Sequence, residues 1–148
     1  MPIPAGDDEG FLQDGVYDCS LEEIRDRFGS FQITDRRQRL FEKLERYVQA
    51  VRGAGIAASI IVNGSFVTGT PDPNDVDLIL ELPADFDLGR ELRPFEYLVQ
   101  SRRIVRARFG LDLTVARSNS RSFDESVEFF QQVKGQPRRR KGILRVRL

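Results

Sequence analysis

The sequence predicts an α/β (α+β) domain in which a small mixed β-sheet is packed by helices. Short apolar runs of strand length, at Ala57–Val62, Val76–Leu82 and Gly110–Ala116, alternate with longer stretches whose apolar residues recur at helical spacing. Glycine and proline mark most of the junctions between them. The 148 residues, 40% hydrophobic and 31% charged with 11 phenylalanines, suit one domain around a single core.

Residues 1–19 hold proline, glycine and several acids but little to pack, so a flexible N-terminal segment is expected ahead of one domain over 20–148. Ser20-Leu21-Glu22-Glu23 is a capping box that opens a short helix to about Phe28, ended by Gly29. A longer helix follows from about Asp35 to Arg52. Leu40, Leu44, Tyr47, Val48 and Val51 form its apolar stripe, and Gly53 and Gly55 close it. Ala57–Val62 is the first apolar strand. Phe66 to Asn74 contains Gly69, Pro71 and Pro73, which leave no room for a regular helix beyond a first turn. Val76–Leu82 is the next strand, stopped by Pro83, and a loop runs to Gly89. Helical spacing resumes near Pro94, with Phe95, Leu98, Val99, Ile104 and Val105 as buried positions, and ends by Gly110. The strand Gly110–Ala116 comes next, then a helix from about Phe123 to Lys134 in which Phe129, Phe130 and Val133 are available for packing. Gly135-Gln136-Pro137 breaks that helix, the basic run Arg138–Lys141 follows, and Ile143–Leu148 alternates as a closing strand.

The chemistry lies between the first two apolar strands. Asn63-Gly64-Ser65 leaves one of them, and nine residues later Asp75-Val76-Asp77 enters the other. Side chains alternate along a strand, so Asp75 and Asp77 share a face while Val76 and Leu78 point to the core. Two carboxylates on one face invite a divalent cation, and hard oxygen donors suit Mg²⁺. Asp112 is a third acid on a short apolar strand. If its strand lies beside that of Asp77, the three acids can hold two metal ions roughly 3.5–4 Å apart, as an in-line displacement at phosphorus requires. Each part has an ordinary reading on its own: Asn63-Gly64 as a hairpin turn, the acid pair as a solvated sheet face, Pro71 to Asp75 as a loop. A hairpin, however, needs a returning strand at once, and Gly69 and Pro71 interrupt one.

This order of Gly-Ser, acid pair and single strand-borne acid resembles the signature of the nucleotidyltransferase superfamily with the DNA polymerase beta-like fold, in particular its minimal single-domain members. The likeness covers Ile60 to about Val115. It implies that Gly64 and Ser65 hold the terminal phosphates of a nucleoside triphosphate, that Asp75 and Asp77 bind Mg²⁺ or Mn²⁺, and that Asp112 joins them and helps activate the attacking hydroxyl. The substrate would be ATP or another nucleoside triphosphate. Members of the superfamily commonly carry a short helix after the Gly-Ser. Here a loop is expected instead, so phosphate contacts would come from Ser65, Thr68, Thr70 and backbone N–H groups without a helix dipole.

Small members of the family often place AMP on a tyrosine of a partner toxin, commonly a HEPN-type ribonuclease, and the resemblance makes that protein AMPylation the first expectation. A second is a toxin that adds nucleotides to tRNA 3′ ends, docking RNA through Arg138, Arg139, Arg140 and Lys141. A third is a catalytically inactive module whose acids serve partner binding. Arg102, Arg103, Arg106 and Arg108 lie on the third long helix, where such spacing ordinarily makes a solvated face.

Composition removes several classes of function. The formal net charge is zero and singles out no partner. No apolar run approaches the roughly 18 residues needed to cross a bilayer, and the first eight residues are acidic where a signal peptide is basic, so a cytoplasmic protein is expected. With no histidine and only Cys19, a zinc site, a His-based triad and an internal disulfide are excluded. Cys19 itself is expected to be a small packed residue.

Overall fold

Helices and strands alternate along most of the chain, and the computed structural model describes residues 3–30 and 34–148. Helix α1 (Leu21–Phe28) starts on the capping box: Ser20 Oγ accepts from Glu23 N, and Glu23 accepts from Ser20 N. Helix α2 (Arg36–Ala54) buries Leu40, Phe41, Leu44, Tyr47, Val48 and Val51 along one stripe. It runs through Gly53 and stops at Gly55, which takes the left-handed conformation at φ +66°. Strands β2 (Ser59–Asn63) and β3 (Asp77–Leu82) are joined by a loop that opens with a single 3-10 turn, Ser65–Val67, in keeping with its two prolines.

The continuous helix expected from Pro94 to Gly110 is two helices, α3 (Pro94–Gln100) and α4 (Arg102–Phe109). Ser101 takes an extended conformation and caps α4 by accepting from Ile104 N, so the chain turns where the apolar pattern alone runs on. As a result Phe95, expected inside, is 46% exposed. Strand β4 (Asp112–Arg117) follows, then α5 (Arg121–Phe130), a short β5 (Gln132–Val133), β6 (Gln136–Arg140) and β7 (Gly142–Arg147).

The main sheet has five strands in the order β1-β7-β2-β3-β4, where β1 (Gly15–Asp18) lies within the segment expected to be flexible. That segment is part of the domain. β1 pairs parallel with β7, Leu12 is 2% exposed in the core, and Leu12 O accepts from Gly142 N. Its four-residue strand carries too little apolar pattern to be recognised, since Tyr17 packs against the core but Val16 is 39% exposed. The β5–β6 hairpin forms a separate two-stranded ribbon.

Period-2 alternation sorts the sheet into two faces. Ile60, Val62, Leu78, Leu80, Leu82, Leu144 and Val146 face the larger core with α1 to α4. Ile61, Ile79 and Ile143 face Phe130, with Phe123 and Val127 of α5 packed against them. The larger core is pinned across helices by Tyr47, whose hydroxyl donates to Val99 O at 2.7 Å and whose ring meets Phe109 edge-on at 5.4 Å.

One buried charge organises the loop between β2 and β3. Arg37 of α2 is 2% exposed and donates to the carbonyls of Phe28 (3.3 Å), Phe66 (2.8 Å), Thr68 (2.7 Å) and Thr70 (2.5 Å). Burial lowers its pKa, and its ring neighbours are Phe28 and Phe66. An Arg37→Leu substitution removes the charge but strands four buried carbonyls, so it is expected to cost about 3 kcal/mol. Urea unfolding would read this as a lower midpoint at unchanged slope; an unaltered midpoint would show that the loop holds itself.

Candidate functional site

The site forms where the ends of β2 and β3 meet a cleft of about 960 Å³, with Asp112 of β4 beside Asp77 but off its lining. Gly64 leaves β2 at φ +97° and ψ −178°, and a Cβ there would stand 2.7 Å from Asp75 O and 3.1 Å from Asp77 N. Only glycine allows the loop's exit to cross so close to its return. Ser65 then fastens the crossing. Its N–H and its hydroxyl donate to Asp75 Oδ1 at 2.8 and 2.5 Å, and its Oγ accepts from Asn74 N at 2.9 Å and Asp75 N at 3.1 Å.

A hydroxyl has one proton and two lone pairs, so Ser65 Oγ is fully used within the loop. These bonds orient Asp75 at the cleft. Thr68 is similarly engaged: it is 8% exposed, donates to Ser65 O at 2.6 Å and accepts from Thr70 N at 3.2 Å. Thr70 and Gly64 remain on the lining of the cleft.

Strands β3 and β4 are parallel neighbours in which Asp77 is the register partner of Asp112. On the other side Asp77 faces Asn63 of β2. Leu78 and Leu113 turn to the larger core, so Asp77 and Asp112 both turn to the α5 face. The three acids therefore meet at one end of one face. Burial, then the charges of Asp75 and Asp112, push the Asp77 carboxyl up from 3.8 to about 6, against the pull of Lys141. Burial would raise Asp75 as well, but the two Ser65 hydrogen bonds and Lys141 bring it below its ordinary value.

Two of these carboxylates have partners of their own. Arg106 of α4 forms an ion pair with Asp112 Oδ1 on the open edge of the sheet, and Ser65 holds Asp75. Among the described residues, no three acidic, cysteine or histidine side chains form a ready metal-holding group. Mg²⁺, though, is usually held by one or two carboxylates and by substrate phosphates, which needs no closed cage. The buried Oδ1 of Asn63 adds a hard oxygen that accepts no hydrogen bond, while Nδ2 donates to Phe130 O at 3.1 Å.

The basic run 138–141 does not form a docking stripe. Arg139 pairs with Asp7 at 2.7 Å and Glu9 at 2.8 Å and lies over the Phe11 ring; Arg140 pairs with Asp14 at 2.9 Å and with Glu128. Lys141 turns the other way. It is half-buried on the cleft lining, and burial lowers its pKa although Asp77 and Asp75 oppose that shift. Sequence reasoning grouped Lys141 with its arginine neighbours and passed over Asn63; both gain their place from β2 lying between β7 and β3. Arg102, Arg103 and Arg108 are exposed on α4, as a solvated face requires. Cys19 is half-buried, and burial first, then Glu23, pushes its thiol up to about 12, which removes it from nucleophilic chemistry.

The chain belongs to DUF6932, a family of unknown function that matches residues 4–147. No curated protein and no solved structure matches it.

Two outcomes follow from this geometry. Gly64→Ala should cost about 2 kcal/mol in urea unfolding through backbone strain and the contact with Asp75 O; a neutral result would mean that the crossing relaxes freely. For Asp77 the folded pKa lies above the unfolded one, so its ionisation costs stability that is absent below 3.8 and fully present above about 6. In metal-free buffer Asp77→Asn should therefore be more stable than wild type at pH 7.5. Solvent screening of a half-exposed group limits the gain to about 1 kcal/mol. The gain should vanish as pH falls through that window. A pH-independent difference would show that the three acids do not sense one another.

Proposed function

We propose that this chain is a divalent-cation-dependent nucleotidyltransferase that moves the nucleoside monophosphate of a nucleoside triphosphate, ATP first, onto a hydroxyl of a partner protein. The observation that carries this reading is the convergence of Asp75, Asp77 and Asp112 at one sheet end, where Asp77 is pushed up to about 6 beside a lysine-bearing cleft. Fold likeness alone would not suffice. Carboxylates clustered against mutual repulsion are held in place for something cationic.

The donor set fits Mg²⁺ or Mn²⁺, since every available ligand atom is a hard oxygen. Asp75, Asp77 and Asp112 would hold the ion, which when bound neutralises phosphate charge and assists departure of pyrophosphate. Ser65 keeps Asp75 ionised and aimed. Lys141 lines the same cleft, where it offers positive charge and a donor to phosphate oxygens. Asp112, held at Oδ1 by Arg106 and set beside Asp77, is suited to take the proton of the attacking hydroxyl. The hydroxyl oxygen bonds to the α-phosphorus, the bond from that phosphorus to pyrophosphate breaks, and the proton ends on Asp112. Positioning and charge supply most of the rate in such transfers.

The state of the basic run favours a protein acceptor. Arg139 and Arg140 are taken up by acids of the same chain and Lys141 faces the cleft, which leaves only Arg138 of the four for an RNA backbone. A HEPN-type toxin is the partner class to which the resemblance points. A second reading, an inactive partner-binding module, draws on the engagement of Asp112 by Arg106 and of Asp75 by Ser65.

Thermal unfolding with Mg²⁺ and each of the four nucleoside triphosphates tests the proposal. A ligand at about 100 times its dissociation constant adds roughly 2.7 kcal/mol. One triphosphate should stabilise wild type only with the metal, and Asp75→Ala/Asp77→Ala should lose the effect. Absence of any shift at millimolar nucleotide would favour the inactive module, and a steep dependence of acceptor labelling on salt would favour RNA.

A further inference from the structure

Phosphate chemistry uses one wall of the cleft and leaves the opposite one without a role. That wall is largely aromatic, built by Phe11 from the N-terminal segment, Phe129 and Phe130 from the last turn of α5, and Val133 of β5, with Gln132 and Lys134 beside it. Phe130 is buried against Ile61, Ile79 and Ile143, and Phe123 and Val127 pack beside it, so the core-facing stripe of α5 is accounted for. Phe129 lies off that stripe and is 71% exposed. An exposed phenylalanine alone is ordinary; this one stands on a cleft whose far side carries Asp75, Asp77 and Lys141.

Asn63 joins the two walls. Its Nδ2 is fixed to Phe130 O, its backbone is the register partner of Asp77, and it is 6% exposed with an Oδ1 that accepts no hydrogen bond. A buried amide oxygen without a donor is costly unless a ligand provides one. The cleft thus offers, in spatial order, an aromatic face, a buried acceptor, and a cation-seeking and phosphate-seeking end. A nucleotide presents the complementary order: a flat base, sugar hydroxyls and phosphates.

We infer that Phe129 is the stacking platform for the base of the bound nucleotide and that Asn63 Oδ1 accepts from a sugar hydroxyl, an inference that rests on the nucleotidyltransferase reading of the same cleft. Aromatic stacking tolerates any base, so the platform supplies affinity for nucleotides over bare phosphate chains more than choice among bases.

The test is calorimetric titration with Mg²⁺ present, using ATP and inorganic tripolyphosphate on wild type, Phe129→Ala and Phe129→Trp. Wild type should bind ATP more tightly than tripolyphosphate. Phe129→Ala should lose about tenfold for ATP and nothing for tripolyphosphate, whereas Phe129→Trp, which keeps a π-face, should retain ATP binding. The exposure of Phe129 means that these variants should keep the wild-type unfolding midpoint. If Phe129→Ala weakens both ligands equally, or neither, the platform is wrong while the phosphate site stands. If wild type binds neither ligand, the nucleotidyltransferase reading falls and takes the platform with it.

Discussion

Arg37 sits inside the protein with no ion pair among the described residues, and the geometry of the site depends on that arrangement. Its two terminal nitrogens donate to main-chain carbonyls at Phe66, Thr68 and Thr70, which turns those oxygens inward and fixes the path of the loop that links β2 to β3, while its buried Nε has no partner among the described residues. A lysine could not do this, because the planar fork reaches several carbonyls at once. From the other side Gly64 and Ser65 bind the loop's exit to its return at Asp75. Held at both ends, the loop delivers Asp75 and Asp77 to the cleft without a helix to carry them.

The second constraint is register. Parallel pairing of β3 with β4 sets Asp77 against Asp112, and a slip of one residue would send Asp112 to the larger core, where Leu113 now lies. The hydrophobic core thus enforces the repulsion among the acids. What it enforces is partly relieved by Ser65, Arg106 and Lys141, each answering a different carboxylate or pair. At the far end of the same face Glu81 is 3% exposed but fully answered by Ser59, Ser118 and Arg145. The two ends of one sheet face therefore treat buried acid differently: one neutralises it and the other leaves it in excess.

Much of this was legible in the residues. The capping box at Ser20, the α2 stripe and the three apolar strands follow from local pattern, and the spacing of Gly64, Ser65, Asp75 and Asp77 carries the candidate site. What was not legible depends on pairing across the chain. Lys141 belongs to a basic run by sequence and to the cleft by topology, and Arg37 reads as a surface residue until its carbonyl partners are known. β1 has no apolar period strong enough to announce it, and the break at Ser101 is the work of one hydroxyl. Motif places Ser65 and Thr68 in the loop, but which loop groups their hydroxyls bond depends on how the loop folds back on itself.

The pairing of β1 with β7 carries a temporal meaning. Residues 15–18 leave the ribosome long before residues 142–145, yet they find their sheet neighbour there. The stretch that supplies Phe11 to the cleft is tied to the same late partner through Gly142. During synthesis β1 must therefore wait for β7, since long-range pairing has to meet its loop-closure cost before it is rewarded, whereas Gly10 and Phe11 have earlier partners at Gly69 and Thr68. The acid-bearing strands can assemble first, so the nascent protein would hold its carboxylates together before Lys141 arrives to answer them.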